Sequence, residues 1–405
     1  MSTTPADNLQ LSFALCLIFI LLVPFAIAGL ALINAGLGRS RSAAHAMTTS
    51  LSAIGVALIT YFIVGSWVEW WQFGYFFSKE HLDLAVLLGI FSLAFGSLIP
   101  LGASADRLRL RSACLSTILL AGFTNPIFSR FVRHILLALL QDKLAWTQTY
   151  LDAGGSGTIQ AASGFTALSV AWLLGPRRGK YSAQGIPAAI PAHNAIYVLF
   201  GCMLAWVGWL GLNSAGAMLY VGMLPERSVL VVINTTFAAA AAGLTAAAIT
   251  RVRFRRPDAS LIANGWMAGL VASSAGCATL KPATAILTGL VAGALVVFSV
   301  EFFEFSLKVD DPCGSISVHA VCGIWGLLAV GIFAGQPGQL MAQIVGIATL
   351  LGFIFPMTYG LNWLLNKFIP YRVSPDGERQ GLDLHELGAD AYPEFVVHAD
   401  EFMQR

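Results

Sequence analysis

The sequence predicts an all-α polytopic membrane protein of eleven transmembrane helices, and three observations predict it. Of its 405 residues, 57% are hydrophobic and only 11% charged, with a mean hydropathy of +0.74. A soluble domain carries about 25% charged residues, so this chain lacks the polar surface to stay in water. Uncharged apolar runs long enough for a spanning helix, about 20 residues, recur along the whole chain. The basic residues also concentrate in alternate loops. This composition excludes a cytosolic enzyme, a disordered protein and a nucleic-acid binder. The net charge is only +2, so the placement of charge carries more information than its sum.

The runs free of Lys, Arg, Asp and Glu cover 8–38, 42–68, 84–105, 112–129, 153–176, 181–225, 228–250, 259–280, 282–300 and 312–366. The first is read as a retained span, because Met1–Gln10 holds no Lys or Arg and so lacks the basic start of a signal peptide. Spans two to five each fill one run. The 181–225 run has Pro-rich and Gly-rich ends and holds one helix, near 194–213. Spans seven, eight and nine again fill one run each. The 312–366 run is too long for a single crossing, and Gly335-Gln336-Pro337-Gly338-Gln339 divides it in two, since Gly and Pro together mark a turn.

Loop charge agrees with eleven spans. Arg39 and Arg41 follow span one; Arg107, Arg109 and Arg111 follow span three. Arg177, Arg178 and Lys180 follow span five; Arg251, Arg253, Arg255 and Arg256 follow span seven. The opposite loops are sparser, with Lys79, Lys143, Arg227 and Lys281, and Arg130 and Arg133 at the end of span four. Basic loops face the cytoplasm. The N-terminus is therefore expected outside and the C-terminus inside a plasma or inner membrane.

Two segments align at an offset of 159 residues. Asp152, Gly155, Ser156, Ala161 and Gly164 match Asp311, Gly314, Ser315, Ala320 and Gly323. Span five starts outside and span ten inside, so spans 1–5 and 6–10 form an inverted repeat. Such repeats place a pore or substrate site near the bilayer midplane. Gln160 and His319 occupy equivalent positions, each eight residues past its aspartate. At 1.5 Å per residue that is roughly 12 Å into the membrane, so the two could meet near the middle.

An ionisable group inside a membrane is costly and marks a functional pathway by default, which makes His319 a pore-lining candidate. Gln160 could serve as a hydrogen-bonding contact between helices, but its place in the repeat favours the pore. Asp152 reads either as an N-cap of span five or as part of an outer cation site. Asp310 and Asp311 before Pro312 read as structural caps, and so does His193 at the start of span six. His45 and His134 lie near interfaces. The tryptophans, Trp67, Trp70 and Trp71 among them, fit interfacial belts. Cys16, Cys114, Cys202, Cys277 and Cys322 sit in apolar runs and read as buried thiols; with Cys313 they make no CxxC pair, so no metal site is expected. There is no nucleotide-binding loop and no HExxH. No cofactor is expected, and the chain is not read as an enzyme.

The segments Asp152-Ala-Gly-Gly155, Asn264-Gly-Trp-Met-Ala-Gly-Leu-Val-Ala-Ser-Ser-Ala-Gly-Cys-Ala278, Asp310-Asp-Pro-Cys313 and His319-Ala-Val-Cys-Gly-Ile-Trp-Gly326 carry a resemblance. So do Gly381-Leu-Asp383 and Ala391-Tyr392. Over nearly its whole length the chain resembles the ammonium transporter/methylammonium permease/Rhesus family. The resemblance implies eleven helices in an inverted five-plus-five repeat, assembled as a homotrimer with one pore per subunit. It also implies recruitment of ammonium at an aromatic outer site, loss of a proton, and passage of ammonia between two mid-membrane histidines. Family members are often blocked by a regulatory protein of the PII type.

The chain departs from that pattern at the chemistry. The family's first pore histidine aligns with Gln160 and the second with His319. The outer-site tryptophan falls near Arg133. The span-three gate phenylalanine falls near Ser92, with Phe91 and Phe95 adjacent, and the span-six phenylalanine and nearby serine fall at Leu212 and Gly216. Asp152 is kept. Glutamine does not titrate, so a relay through two imidazoles is interrupted, and Arg133 facing the vestibule would repel a cation. The expected organisation is a transmembrane domain over 1–366, with repeats at about 8–176 and 194–334 and an eleventh helix at 340–366. A cytoplasmic tail spans 367–405. The leading expectation is ammonium or ammonia transport. The alternatives are a non-transporting ammonium receptor of the same fold, or an electroneutral channel for ammonia or another small gas.

Overall fold

The computed structural model describes residues 5–71, 79–136, 139 and 148–392; Lys143 and the tail residues 393–405 lie outside the described residues. In chain order the long helices are α1 (Gln10–Leu37), α2 (Ser40–Trp70), α3 (Lys79–Ala103), α4 (Leu110–Ile135), α5 (Ser156–Leu174), α6 (Ala195–Tyr220) and α7 (Pro225–Phe254). Then come α8 (Ala259–Ser274), α9 (Pro282–Ser306), α10 (Ile316–Phe333) and α11 (Gln339–Phe368). Among the described residues, ten helices are long and apolar enough to cross a membrane. Helices are what such a chain must form, because hydrocarbon offers the backbone no hydrogen-bond partner.

The shorter element is α8, where the sequence predicts a span over 259–280. It is helical for 16 residues and continues as a turn over 275–279. Its last carbonyls are taken from outside the helix. Ser274 O accepts from Gly154 N at 2.8 Å and Ala275 O from Ala153 N at 3.2 Å. Asn234 Nδ2 donates to Cys277 O at 2.9 Å and Leu280 O at 2.8 Å. These contacts satisfy the carbonyls that a helix end leaves open. The sixth helix runs on to Tyr220 rather than ending near 213. The predicted break at 335–339 forms, with Gly335 and Gly338 at φ +69° and +85°.

The first helix lies along α6, and α7, α8 and α9 pack together, while α5 and α10 cross in the interior. Both central helices open with a π-helical turn, over Ser156–Ala161 and Ile316–Val321, before becoming α-helical. Gly155 and Gly314, equivalent in the repeat, both adopt left-handed backbone just before these turns, at φ +85° and +69°.

Five of the six cysteines are buried thiols, and Cys114 is half-buried. Trp67 and Trp71 stack at 4.8 Å and are about half exposed, whereas Trp70 is buried.

One face carries the described tail. There Arg177 knits three loops together. Its Nη1 meets Asp106 Oδ2 at 2.9 Å, and its Nε and Nη2 meet Asp310 at 2.9 and 3.0 Å. Arg107, fully buried, donates to the Asp310 carbonyl at 2.7 Å and to Gly175 O at 2.8 Å. Burial alone would raise the Asp310 carboxyl, but Arg107 and Arg177 outweigh it and hold it at about 2. Asp310 is thus an ion-pair centre and not the expected cap. The capping oxygen is on Asp311, whose Oδ2 accepts from Ile316 N at 2.7 Å. His193 is not a cap either. Asn194 supplies that oxygen, to Tyr197 N at 3.1 Å, while His193 Nε2 meets Tyr392 Oη of the tail at 3.2 Å.

The tail laces under the same face. Asp383, fully buried, accepts from Ala44 N at 3.2 Å and His45 N at 2.6 Å, at the start of α2. Glu386 accepts from Leu110 N at 2.8 Å, at the start of α4, and meets His45 Nε2 at 2.8 Å. Arg109 N donates to Tyr371 O and Val373 N to Arg107 O, both at 3.0 Å.

Candidate functional site

Where α5 crosses α10, the two equivalent polar residues meet. His319 Nδ1 and Gln160 Oε1 are 2.8 Å apart, with exposures of 2% and 0%. An amide oxygen can only accept, so Nδ1 carries a proton, and in the neutral ring Nε2 is bare. The close approach that makes this possible is reciprocal. A Cβ on Gly164 would run into the Ala320 backbone, and one on Gly323 would run into Ser156 O and Ala161. Gly164 and Gly323 are equivalent positions, as are Ala161 and Ala320. The crossing therefore repeats about a local two-fold, with the Gln160–His319 pair beside it.

Cavities lie on either side of this pair. On the tail side, His319 lines a small one of about 10 Å³ with Asn34, Asn264 and Met267. Asn264 also lines a larger one of about 180 Å³ with Asp310, Asp311, Lys180, Glu304 and Ser317. Lys180 Nζ pairs with Glu304 there. Burial, reinforced by the Asp310 charge against donors at Ile316 and Ser315, pushes the Asp311 carboxyl up to about 6.

On the far side a small cavity of about 20 Å³ has Ser92, Arg133, Thr158, Leu212, Gly216 and Tyr220 in its wall. The Arg133 guanidinium lies flat over the Tyr220 ring, 3.4 Å from its centroid. Its Nη2 donates to Thr158 Oγ1 at 3.3 Å. Thr158 Oγ1 in turn donates to Asp152 Oδ2 at 2.9 Å, which also accepts from Thr158 N at 2.8 Å and Gly157 N at 3.1 Å. Asp152 is thus both the cap of α5 and the counter-charge behind Arg133. Burial raises its carboxyl, against the pull of the Thr158 donors and Arg133. A second carboxylate, Glu69, is buried nearby and accepts from Tyr61 Oη at 2.6 Å and Ser129 Oγ at 2.5 Å.

Four of the seven residues expected at the outer site line this cavity: Ser92, Arg133, Leu212 and Gly216. Asp152 stands behind the wall. Phe91 is half-buried in the hydrophobic core and does not line the cavity. Phe95 lies deeper, edge-on to His319 at 6.2 Å and to Trp209 at 5.0 Å. The helical spacing of 91, 92 and 95 turns only Ser92 toward the cavity. Sequence reasoning missed Tyr220, Glu69 and Thr158. Glu69 had a visible signal, as an acid amid the tryptophans that end α2. Tyr220, in the last turn of an apolar helix, had none.

The family model described as Ammonium Transporter Family matches residues 14–392. The ammonium transporter Amt2 of Archaeoglobus fulgidus is 33% identical, over 97% of this chain and 91% of its own length. The putative ammonium transporter sll1017 of Synechocystis is 29% identical, over 94% and 89%. Among solved structures, one titled Sensor Amt Protein superposes with a TM-score of 0.85 at 23% identity, covering 95% of this chain and all of that one. Candida albicans Mep2 gives 0.76 at 21% identity, over 95% and 90%. These structural likenesses concern the fold alone.

Proposed function

The chain belongs to the ammonium transporter family, and from that premise we propose that it moves ammonium or ammonia across the membrane through a pore in each subunit. The observation that carries this reading is the buried Gln160–His319 pair between two cavities. With the tail face cytoplasmic and the N-terminus outside, as the basic loops favour, the far-side cavity is the outer mouth. The transmembrane domain is then 1–366, with repeats near 8–176 and 194–334 and the eleventh helix within 340–366, and 367–405 is a cytoplasmic tail. The host is the plasma or inner membrane, and the assembly is a homotrimer with room for a PII-type protein under the tail face.

At the pair, ammonia rather than ammonium is the species that crosses. A bare ion loses its hydration in so dry a passage at a cost of several kcal/mol or more, whereas ammonia gives up only neutral hydrogen bonds. His319 Nε2 accepts an N–H of the passing molecule, while Gln160 holds the imidazole in that tautomer. Because an amide does not titrate, Gln160 passes no proton on. The chemistry is binding and passage, with no covalent step.

A second reading, an ammonium receptor that does not transport, is favoured by the loss of the first imidazole. Uptake decides between them. Labelled ammonium would be supplied at low concentration to cells lacking their own uptake, at near-neutral pH, with empty cells at the same pH as the measure of passive ammonia diffusion. Uptake with the wild-type chain, lost in His319→Leu, is the expected result. Cells that take up no more than empty controls would leave the receptor reading.

A further inference from the structure

We propose that Arg133 is a tethered cation that fills the outer cation site, so that the mouth of the pore takes in neutral ammonia and rejects ammonium. This rests on the transport reading above for the identity of the substrate, and on the geometry of the outer cavity for everything else.

An ammonium ion entering a membrane mouth is held by an aromatic face and by a carboxylate within reach. Both elements exist here, and a side chain of this chain already uses them. The Arg133 guanidinium sits 3.4 Å from the Tyr220 ring centroid, well inside the ~6 Å over which cation–π attraction acts. Asp152 lies behind it through Thr158 Oγ1, and Asp152 and Glu69 are the carboxylates whose charge it feels. Its Nε and Nη1 have no acceptor among the described residues, so the ring face and Thr158 are what the guanidinium rests on.

The location is the far wall of the passage. Arg133 lines the same cavity as Ile159, the residue before Gln160. A second cation there would share Tyr220 with a fixed positive charge a few ångströms away, and like charges disfavour one another where water is scarce. Ammonia carries no such charge. Among the neighbouring side chains Ser92 offers a neutral guest a hydroxyl, while Leu212 and Gly216 offer no polar group.

The test uses purified full-length protein and ammonium chloride, with sodium chloride as control. Thermal unfolding of Arg133→Gln should rise with ammonium, because the vacated Tyr220 face binds the ion. Wild type should show no ammonium-specific rise. An apparent affinity at least about tenfold tighter in the variant is expected for a cation–π site freed of its occupant. Adding Tyr220→Leu should abolish the gain. A purely structural Arg133 would leave the variant destabilised without recovery in ammonium. If Arg133→Gln does not fold, Arg133→Met carries the same test, since it keeps the aliphatic stem and leaves no charge at the ring.

Equal ammonium stabilisation of wild type and variant, or none in any variant, would overturn the proposal. Labelled uptake is measured alongside, as a function of external pH. Wild-type rates should track the concentration of free ammonia, and the variant's rates should depend on it less. Absence of uptake in all forms would sink the transport reading and still leave the binding result to decide the role of Arg133.

Discussion

Gln160 Oε1 accepts the Nδ1 proton of His319 at 2.8 Å, joining two residues that occupy the same position in two oppositely directed halves. Each lies one helical segment past a carboxylate, and each of those carboxylates caps its own helix, Asp152 at Gly157 and Thr158 and Asp311 at Ile316. The polar centre of the protein is therefore built twice from one local plan, with an amide in one copy where the other has an imidazole.

The crossing that brings the pair together has no room for a side chain at Gly164. The Cβ of an added alanine would lie 2.8 Å from Ala320 Cα, a distance that requires backbone to move. Gly164→Val is expected to cost about 1–3 kcal/mol, typical of overpacking and more if α5 and α10 part. Thermal unfolding in detergent should show a lowered midpoint. Gly323→Val should behave alike, because its contacts with Ala161 are the mirror of these.

Arg177 neutralises two buried carboxylates at once. Arg177→Met would remove the partner that Asp106 and Asp310 share, leaving them the longer contacts to Arg39 and Arg107 at 3.9 Å, and breaking a buried pair in this way costs about 3–5 kcal/mol. Asp310→Asn placed in the same chain should return part of the loss. A double-mutant cycle on unfolding midpoints measures the coupling, which is expected to be large for these directly bonded residues.

Two adjacent aspartates should give stability opposite dependences on pH. Asp310 is held at about 2, below the roughly 3.9 of an unfolded aspartate. Its contribution is present above that value and is lost as pH falls toward 2. Asp311 is pushed up to about 6, so its contribution is full below roughly 3.9 and is lost as pH rises through 6. Asp311→Asn should flatten the decline between those two points while leaving the acid limb intact. Unfolding midpoints across that range decide it.

The tail is fastened by a side chain capping another helix. Asp383 satisfies the N–H groups of Ala44 and His45, and losing such a cap costs about 0.5–2 kcal/mol. Asp383→Ala should loosen the segment before it. Trypsin cleavage at Arg379, whose side chain is 68% exposed, should then proceed faster than in wild type, with unchanged cleavage elsewhere.

Much of this architecture was legible in the chain, for physical reasons. Hydrocarbon thickness fixes span length, so the apolar runs located the helices to within a few residues, apart from the short α8 and the longer α6. The inverted spacing from Asp152 to Gln160 and Asp311 to His319 placed the pair, because equal rise from opposite faces leads to the same depth. What escaped were contacts between distant residues that no period encodes. Asp310 reads as a cap because Pro312 follows it, yet Arg177 claims it across more than a hundred residues. Phe95 reads as a mouth residue from its neighbour Ser92, but one further helical turn sets it beside His319. Arg133 could be read as a charge facing the mouth, while its resting place on Tyr220 could not.

The most direct test of the central claim is nitrogen NMR of isotopically labelled histidine in the protein held in lipid bilayers, with His319→Gln to assign the resonance. The account predicts a neutral His319 protonated on Nδ1 and bare at Nε2, with the Nε2 resonance moving when ammonium is added and the Nδ1 resonance staying in place. A proton resident on Nε2, or an Nε2 resonance indifferent to ammonium, would contradict it.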